Sequence, residues 1–197
     1  MERGKLIVFS APSGSGKTTI VRHLLQHPEL KLEFSISATS REPRGQEAHG
    51  NDYHFMSLHD FKQHIKAEDF VEWEEVYPDM FYGTLKSEVD KIRDEGKNVI
   101  FDIDVSGGLR IKRKFPEETI AIFVKPPSID ELKRRLKERS TESDEKIAMR
   151  IAKSSAELAT APLFDVIVEN ADLSLAKQKA YDLVSDFVKT GHVPTKE

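Results

Sequence analysis

Residues 10–19 read Ser10-Ala11-Pro12-Ser13-Gly14-Ser15-Gly16-Lys17-Thr18-Thr19, residue types suited to holding a polyphosphate. Gly14 and Gly16 permit backbone conformations that a Cβ would block, so successive N–H groups can turn inward on phosphate oxygens. Lys17 would bridge the outer phosphates of a nucleoside triphosphate, and Thr18 would hold Mg²⁺. The usual phosphate loop begins with Gly, and Ala11 stands there instead. The competing reading is a glycine-rich turn between strand and helix. The flanks favour phosphate: apolar Leu6-Ile7-Val8-Phe9 precedes the loop, and helical spacing at Ile20-Val21 and Leu24-Leu25 follows it. The N-terminus of that helix adds a positive end.

Asp102 and Asp104 close a second apolar run, Val99-Ile100-Phe101. Two apart in a strand, their side chains leave one face, at the strand end where open α/β sheets bind ligands. Carboxylates there hold Mg²⁺ directly or through water, accept from a substrate amine, or cap the following helix. Arg41 and Arg44 bracket Glu42-Pro43, with Tyr53 downstream. Two forked guanidinium groups suit a doubly charged phosphate, against the alternative of two solvated surface arginines. Arg135 and Arg139 share a helix face, and Arg150 lies on the next helix. These three would close over a transferring phosphoryl group, or belong to a salt-bridged exposed helix with Asp130, Glu131, Lys133, Arg134, Lys137 and Glu138. The histidines offer no ligand motif tighter than the helical pair His23/His27, which has no acid between its members.

The elements that must position these groups follow from periodicity. Lys5–Ser10, Phe34–Ala38, Tyr53–Phe55, Phe70–Val76, Asn98–Asp102, Thr119–Val124 and Asp165–Glu169 read as strands. Lys17–His27, Leu58–Lys66, Ser87–Glu95, Ser106–Arg113, Ile129–Arg139, Asp144–Leu158 and Asp172–Lys189 read as helices, with Ser57 and Ser128 as caps. Pro78–Gly83 reads as a turn and Thr141–Ser143 as a polar break. Strands alternating with helices predict an α/β fold, a parallel sheet covered on both faces. The aromatic-rich segment from about residue 34 to 84 breaks the alternation and reads as an inserted subdomain, and the basic helix pair over 128–157 as a mobile cap.

The totals narrow the class. With 197 residues, 38% hydrophobic and 32% charged, the chain suits one soluble domain rather than disorder. A net charge of −4 gives no overall basic excess for nucleic acid. The absence of cysteine excludes disulfides, thiol nucleophiles and cysteine metal sites. No apolar run approaches the roughly 20 residues of a membrane span, and the first core strand begins almost at once, so no signal peptide is expected. The expected setting is cytoplasmic, without membrane or nucleic-acid partners.

Together these motifs resemble the guanylate kinase family. The loop Ser10–Lys17 matches its Ser-x-Pro-Ser-Gly-x-Gly-Lys form, and the family also tolerates residues other than Gly at the place of Ala11. Further matches are Ser35-Ile36-Ser37-Ala38-Thr39-Ser40-Arg41-Glu42-Pro43-Arg44, with Glu47, Gly50 and Asp52-Tyr53-His54-Phe55; Phe70-Val71-Glu72-Trp73 with Tyr82-Gly83-Thr84; Asp102-Ile103-Asp104 with Gly107; Arg135, Arg139 and Arg150; and Asp165 to Asn170. They run in one order along almost the whole chain. Two departures stand out: one extra residue between Glu72 and Tyr82, reading Asp79-Met80-Phe81, and Gly45-Gln46 before Glu47.

The resemblance implies a P-loop NTPase-type parallel sheet core flanked by helices (about 1–33, 85–127 and 158–190), a small mixed α/β GMP-binding subdomain (about 34–84) and a helical lid (about 128–157). It implies transfer of the ATP γ-phosphoryl group to GMP, and to dGMP, with Mg²⁺ accompanying ATP. Residues 11–19, Arg135, Arg139 and Asn170 would bind ATP. Ser37, Arg41, Arg44, Tyr53 and Tyr82 would hold the GMP phosphate, while Glu72, Thr84 and Asp102 read guanine. Lys17, Arg44, Arg139 and Arg150 would carry catalysis. Thr18 would meet the metal, with Asp102 a further ligand through water. Two alternatives remain open at this stage: a kinase for another small acceptor, and a non-enzymatic protein-binding module. The sequence leaves the choice between monomer and homo-oligomer open.

Overall fold

The computed structural model describes residues 3–139 and 144–194. Five strands form a parallel sheet in the order β2 (Leu32–Phe34), β7 (Asn98–Asp102), β1 (Leu6–Ser10), β8 (Thr119–Lys125), β9 (Val166–Glu169). β1 lies at the centre, with all five of its residues buried. Period-2 alternation divides the sheet into two apolar faces. Ile7 and Phe9, with Ile100, Ile120 and Ile122, pack against helices α1 (Lys17–Leu24) and α7 (Leu173–Thr190). Leu6 and Val8, with Val99, Phe101 and Phe123, pack against α3 (Lys86–Asp94) and α4 (Val105–Lys114). A Cβ on Gly108 would stand 2.4 Å from Ser10 Oγ and 3.0 Å from Val8 Cγ1, so a glycine lets α4 lie close on the central strand.

A second, four-stranded sheet runs β4 (His54–Phe55), β3 (Ala38–Thr39), β6 (Met80–Leu85), β5 (Phe70–Tyr77). Helix α2 (Leu58–Lys66) begins at Ser57, whose side chain accepts from the Asp60 N–H, and drives Phe61 into this sheet. The Phe61 ring stacks on Phe70 at 4.4 Å between centroids and leans on Phe81 at 5.5 Å. Along its outer edge β5 meets α4: the Arg110 guanidinium donates to the Trp73 carbonyl, and Lys114 Nζ donates to the Phe70 carbonyl at 3.4 Å. Helices α5 (Ile129–Arg139) and α6 (Asp144–Ala159) pack on each other, and the expected Ser128 cap forms, its hydroxyl accepting from the Glu131 N–H.

Two expectations need correction. Phe34–Ala38 is not one strand: Leu32–Phe34 belongs to the parallel sheet and Ala38–Thr39 to the smaller one. Ser35 N–H still donates to the Ile100 carbonyl, and three residues later Ala38 pairs with Gly83, so the chain crosses between sheets where alternation looked continuous. Pro78–Gly83 is not a turn either. Only Pro78-Asp79 reverses the chain, Asp79 taking a left-handed φ of 60°, and Met80 already pairs with Tyr77. Smaller differences lie at helix ends: α1 stops at Leu24, ahead of the expected His27. The expected break at Thr141–Ser143 lies outside the described residues.

The aromatic stack sets the stability of the smaller sheet. Phe61→Ala should cost about 3–5 kcal/mol, read as a lower urea midpoint. An unchanged midpoint would mean that the stack does not hold that sheet.

Candidate active site

The parallel register brings the chemistry together. Phe9 pairs with Asp102, so the acid ending β7 lies beside the start of the loop that follows β1. Gly14 and Gly16 have φ of 90° and 89°, the left-handed region expected for backbone that turns its N–H groups inward. Lys17 Nζ meets Asp102 Oδ1 at 2.7 Å and donates to the Ile103 carbonyl, also at 2.7 Å. Thr18 Oγ1 donates to Asp102 Oδ2 at 2.6 Å. One carboxylate thus holds both side chains expected to face triphosphate and metal. Asp104 accepts from the Gly107 N–H at 2.9 Å, so the helix-cap reading holds for it.

Residues 11–19 line a cavity of about 360 Å³ with Asp102, Asp104, Lys153 and Glu157. A second cavity of about 300 Å³ is lined by Ser37, Tyr53, Glu72, Tyr82 and Ile103, again with Asp102 and Asp104. The two chambers therefore meet at the carboxyl end of β7. A larger groove of about 910 Å³ lies between β5, α2 and α4 and contains no loop residue.

In the second chamber Glu72 is 6% exposed and its Oε1 accepts from Thr84 Oγ1 at 2.8 Å. Glu72 pairs with Thr84 across β5 and β6, and Tyr82 follows two residues away on the same face. A register shift between Phe70 and Glu72 lets Phe70 face α2 while Glu72 faces the chamber. A further shift between Glu75 and Tyr77, with left-handed Asp79, confines the second irregularity of the hairpin to its tip, away from Thr84. Burial pushes the Glu72 carboxyl up to about 7, against the Thr84 hydrogen bond, which favours the charged form. Gly107 makes room for it, since a Cβ there would stand 2.9 Å from Glu72 Oε2.

At the rim, Arg41 is fully engaged. Its Nη atoms donate to Glu47 at 2.6 and 2.8 Å, Nε donates to Tyr82 Oη at 3.0 Å, and the guanidinium lies over Tyr53 at 4.9 Å. Glu47 also accepts from the Arg44 N–H at 2.8 Å, and its carboxyl is held down at about 2 by Arg41 and that backbone donor. The Arg44 side chain is exposed to solvent. The sequence reading assigned Glu47 no role; an acid six residues after one arginine and three after another was the available signal.

On the loop side, Arg150 Nη2 donates to Ser13 Oγ at 2.5 Å. Arg135 bonds Glu131 at 2.8 Å and the Asn170 carbonyl at 3.2 Å. Asn170 is 3% exposed and sits under the loop, Nδ2 donating to the Ser15 carbonyl at 2.7 Å. The Arg139 side chain lies outside the described residues. Two groups that sequence reasoning missed, Lys153 and Glu157, line the loop chamber from α6.

A family model described as guanylate kinase matches residues 3–189. The chain belongs to the guanylate kinase family. It is 52% identical over 184 residues to a guanylate kinase of Bacteroides fragilis, covering 93% of this chain and 90% of that protein. A guanylate kinase of Porphyromonas gingivalis is 50% identical, covering 93% of this chain and 98% of its own length. The crystal structure of a guanylate kinase from Anaplasma phagocytophilum superposes with a TM-score of 0.75 at 25% identity, covering 96% of this chain and 89% of that one. Family membership agrees with the architecture, a phosphate loop after the central strand of a parallel sheet. Among the described residues no helix is long and apolar enough to cross a membrane.

The buried Glu72 makes stability depend on pH. Its folded value of about 7 exceeds the ordinary 4.5, so the folded state holds a proton that the unfolded chain releases. Stability should fall as pH rises from 4.5 to 7 and level off above. Glu72→Gln should remove that slope, gaining at most about 3 kcal/mol on the wild type by pH 8. Urea midpoints at pH 5 and 8 test this, and parallel profiles would mean that Glu72 is not buried as an acid.

Proposed function

We propose that the two chambers receive ATP and GMP and that the chain transfers the γ-phosphoryl group between them, giving ADP and GDP. Their meeting at Asp102 and Asp104 carries this reading, because in-line transfer needs donor and acceptor end to end. Kinase activity on GMP follows the family; the assignment of individual residues is our own. The loop amides and Lys17 bind the outer phosphates. Thr18 and Asp102 supply oxygen donors only, which fits Mg²⁺. When bound, Mg²⁺ neutralises charge on the triphosphate. Arg135 and Arg150 approach from α5 and α6, the proposed lid, Arg139 is assigned with them by the family resemblance, and Asn170 braces the loop beneath the nucleotide.

In the acceptor chamber Arg41, Arg44, Tyr53, Tyr82 and Ser37 surround the GMP phosphate. Glu47 fixes Arg41 in place, leaving exposed Arg44 to close on the phosphate. Glu72 accepts from guanine N1–H and the N2 amine, the Thr84 hydroxyl turns its single proton from Glu72 to O6, and Asp102 completes the reading. Adenine lacks those donors and would leave a buried carboxylate unpaired. A phosphomonoester with a second pKa of about 6 is already mostly ionised at neutral pH, so no strong general base is required. The chain's setting is proposed to be cytoplasmic.

The deciding experiment is ADP release from Mg·ATP with GMP, dGMP, AMP, CMP and UMP offered separately. ADP formation with guanine monophosphates alone supports the assignment. Equal rates with AMP would overturn the guanine reading by Glu72, and folded protein inert toward all would favour a binding module. Lys17→Ala should lower kcat by about 10²–10³-fold, with GMP binding by calorimetry within a few-fold of wild type. Arg44→Met should raise the KM for GMP about tenfold with little change in ATP dependence. Unaltered GMP dependence would remove Arg44 from the site.

A further inference from the structure

Among the described residues lining the loop chamber, two are cations, Lys17 and Lys153. Lys17 is already held by Asp102 and the Ile103 carbonyl. Lys153 is differently placed. Its side chain is 66% exposed, and its ammonium stands 4.0 Å from Glu157 Oε1, the outer limit of an ion pair. It lies one helical turn beyond Arg150, whose contact with Ser13 turns this face of α6 toward the loop. Positions 150, 153 and 157 share that face.

The chamber wall opposite the loop is acidic. Burial raises the half-buried Glu157 carboxyl, and Asp104 and Glu74 raise it further, while Lys153 and Lys17 act in the opposite direction. Burial and Asp104 likewise raise Glu74, with Arg110 and Lys153 opposing. Lys153 thus stands beside Glu157 on the wall that also carries Asp104, one of the two residues shared with the acceptor chamber. A polyphosphate arriving here meets the carboxylates of Asp104 and Glu157, and repulsion between like charges opposes its binding. A loosely held ammonium at this wall can leave Glu157 for a phosphate oxygen at little cost, because its present pair is long and solvated.

We propose that Lys153 is a further phosphate-binding residue, its ammonium meeting the terminal phosphate of ATP where the two chambers join. The inference rests on assigning the loop chamber to ATP. The terminal phosphate is specified because Lys153 lines the loop chamber together with Lys17, the residue assigned to the outer phosphates, and with Asp104, which also lines the acceptor chamber.

Lys153→Gln and Lys153→Arg in the full chain test it by calorimetric titration with Mg·ATP and Mg·ADP in the absence of GMP. The Gln variant should bind ATP about tenfold more weakly, equivalent to about 1.4 kcal/mol, and ADP within twofold of wild type. The Arg variant should recover most of the ATP affinity, and both should keep the wild-type urea midpoint. Wild-type ATP affinity in the Gln variant overturns the proposal. So does equal weakening of ATP and ADP, or a loss that Arg does not restore and that accompanies a lowered midpoint. Failure of the wild-type chain to bind ATP at all would instead overturn the chamber assignment on which the inference rests.

Discussion

The register of β7 against β1 is the constraint on which the site depends. With Phe9 opposite Asp102, the carboxylate reaches both Lys17 and Thr18 across adjacent strand ends. Side chains alternate along a strand, so a slip of one residue would turn Asp102 to the other face of the sheet. The slip is opposed by burial: Val99 and Phe101 fill one apolar face and Ile100 the other, each at most 1% exposed. Hydrophobic alternation in the middle of the sheet thus fixes electrostatics at its edge.

The two chambers use charge in opposite ways. Around the loop, cations and backbone amides would meet the proposed anion, and Asp102 holds Lys17 in place. In the acceptor chamber, Glu72 is buried with a single hydroxyl donor and its proton is retained toward neutrality. Ligand donors would replace the water that burial removed, so the proposed selectivity for a base with two adjacent donors would arise from desolvation. At the rim, Glu47 and Tyr82 set Arg41 in one orientation, and such preorganisation would lower the ordering cost of the phosphate binding proposed for it.

Much of this was legible in the chain. The left-handed glycines of the loop, Asp102 at the end of β7, the caps at Ser57 and Ser128 and the helix over Ile129–Arg139 depend on neighbours close in sequence, and local physics determines them. What escaped depends on distant partners. Residues 34–38 alternate as one strand would, yet Ile100 and Gly83 in different sheets claim their backbone. The Pro78–Gly83 stretch has turn composition, but pairing with β5 reclaims all but two residues. Asn170 read as a nucleotide contact, and its place beneath Ser15 follows only from how β9 ends beside the loop. Lys153 and Glu157 drew no reading from the sequence, and only the setting of α6 against the loop brings them to the chamber.

The contacts between α4 and the outer edge of β5 have a consequence for the fate of the chain in concentrated solution. β5 is an eight-residue edge strand whose opposite side pairs with β6. Unpaired carbonyls on such a strand form a template on which strands of other molecules can add. Arg110 and Lys114 occupy the carbonyls of Trp73 and Phe70, and Glu74 and Glu75 add negative charge along the remainder. Helix α4, which carries the Asp104 cap at its start, therefore also shields the smaller sheet from edge-to-edge self-association.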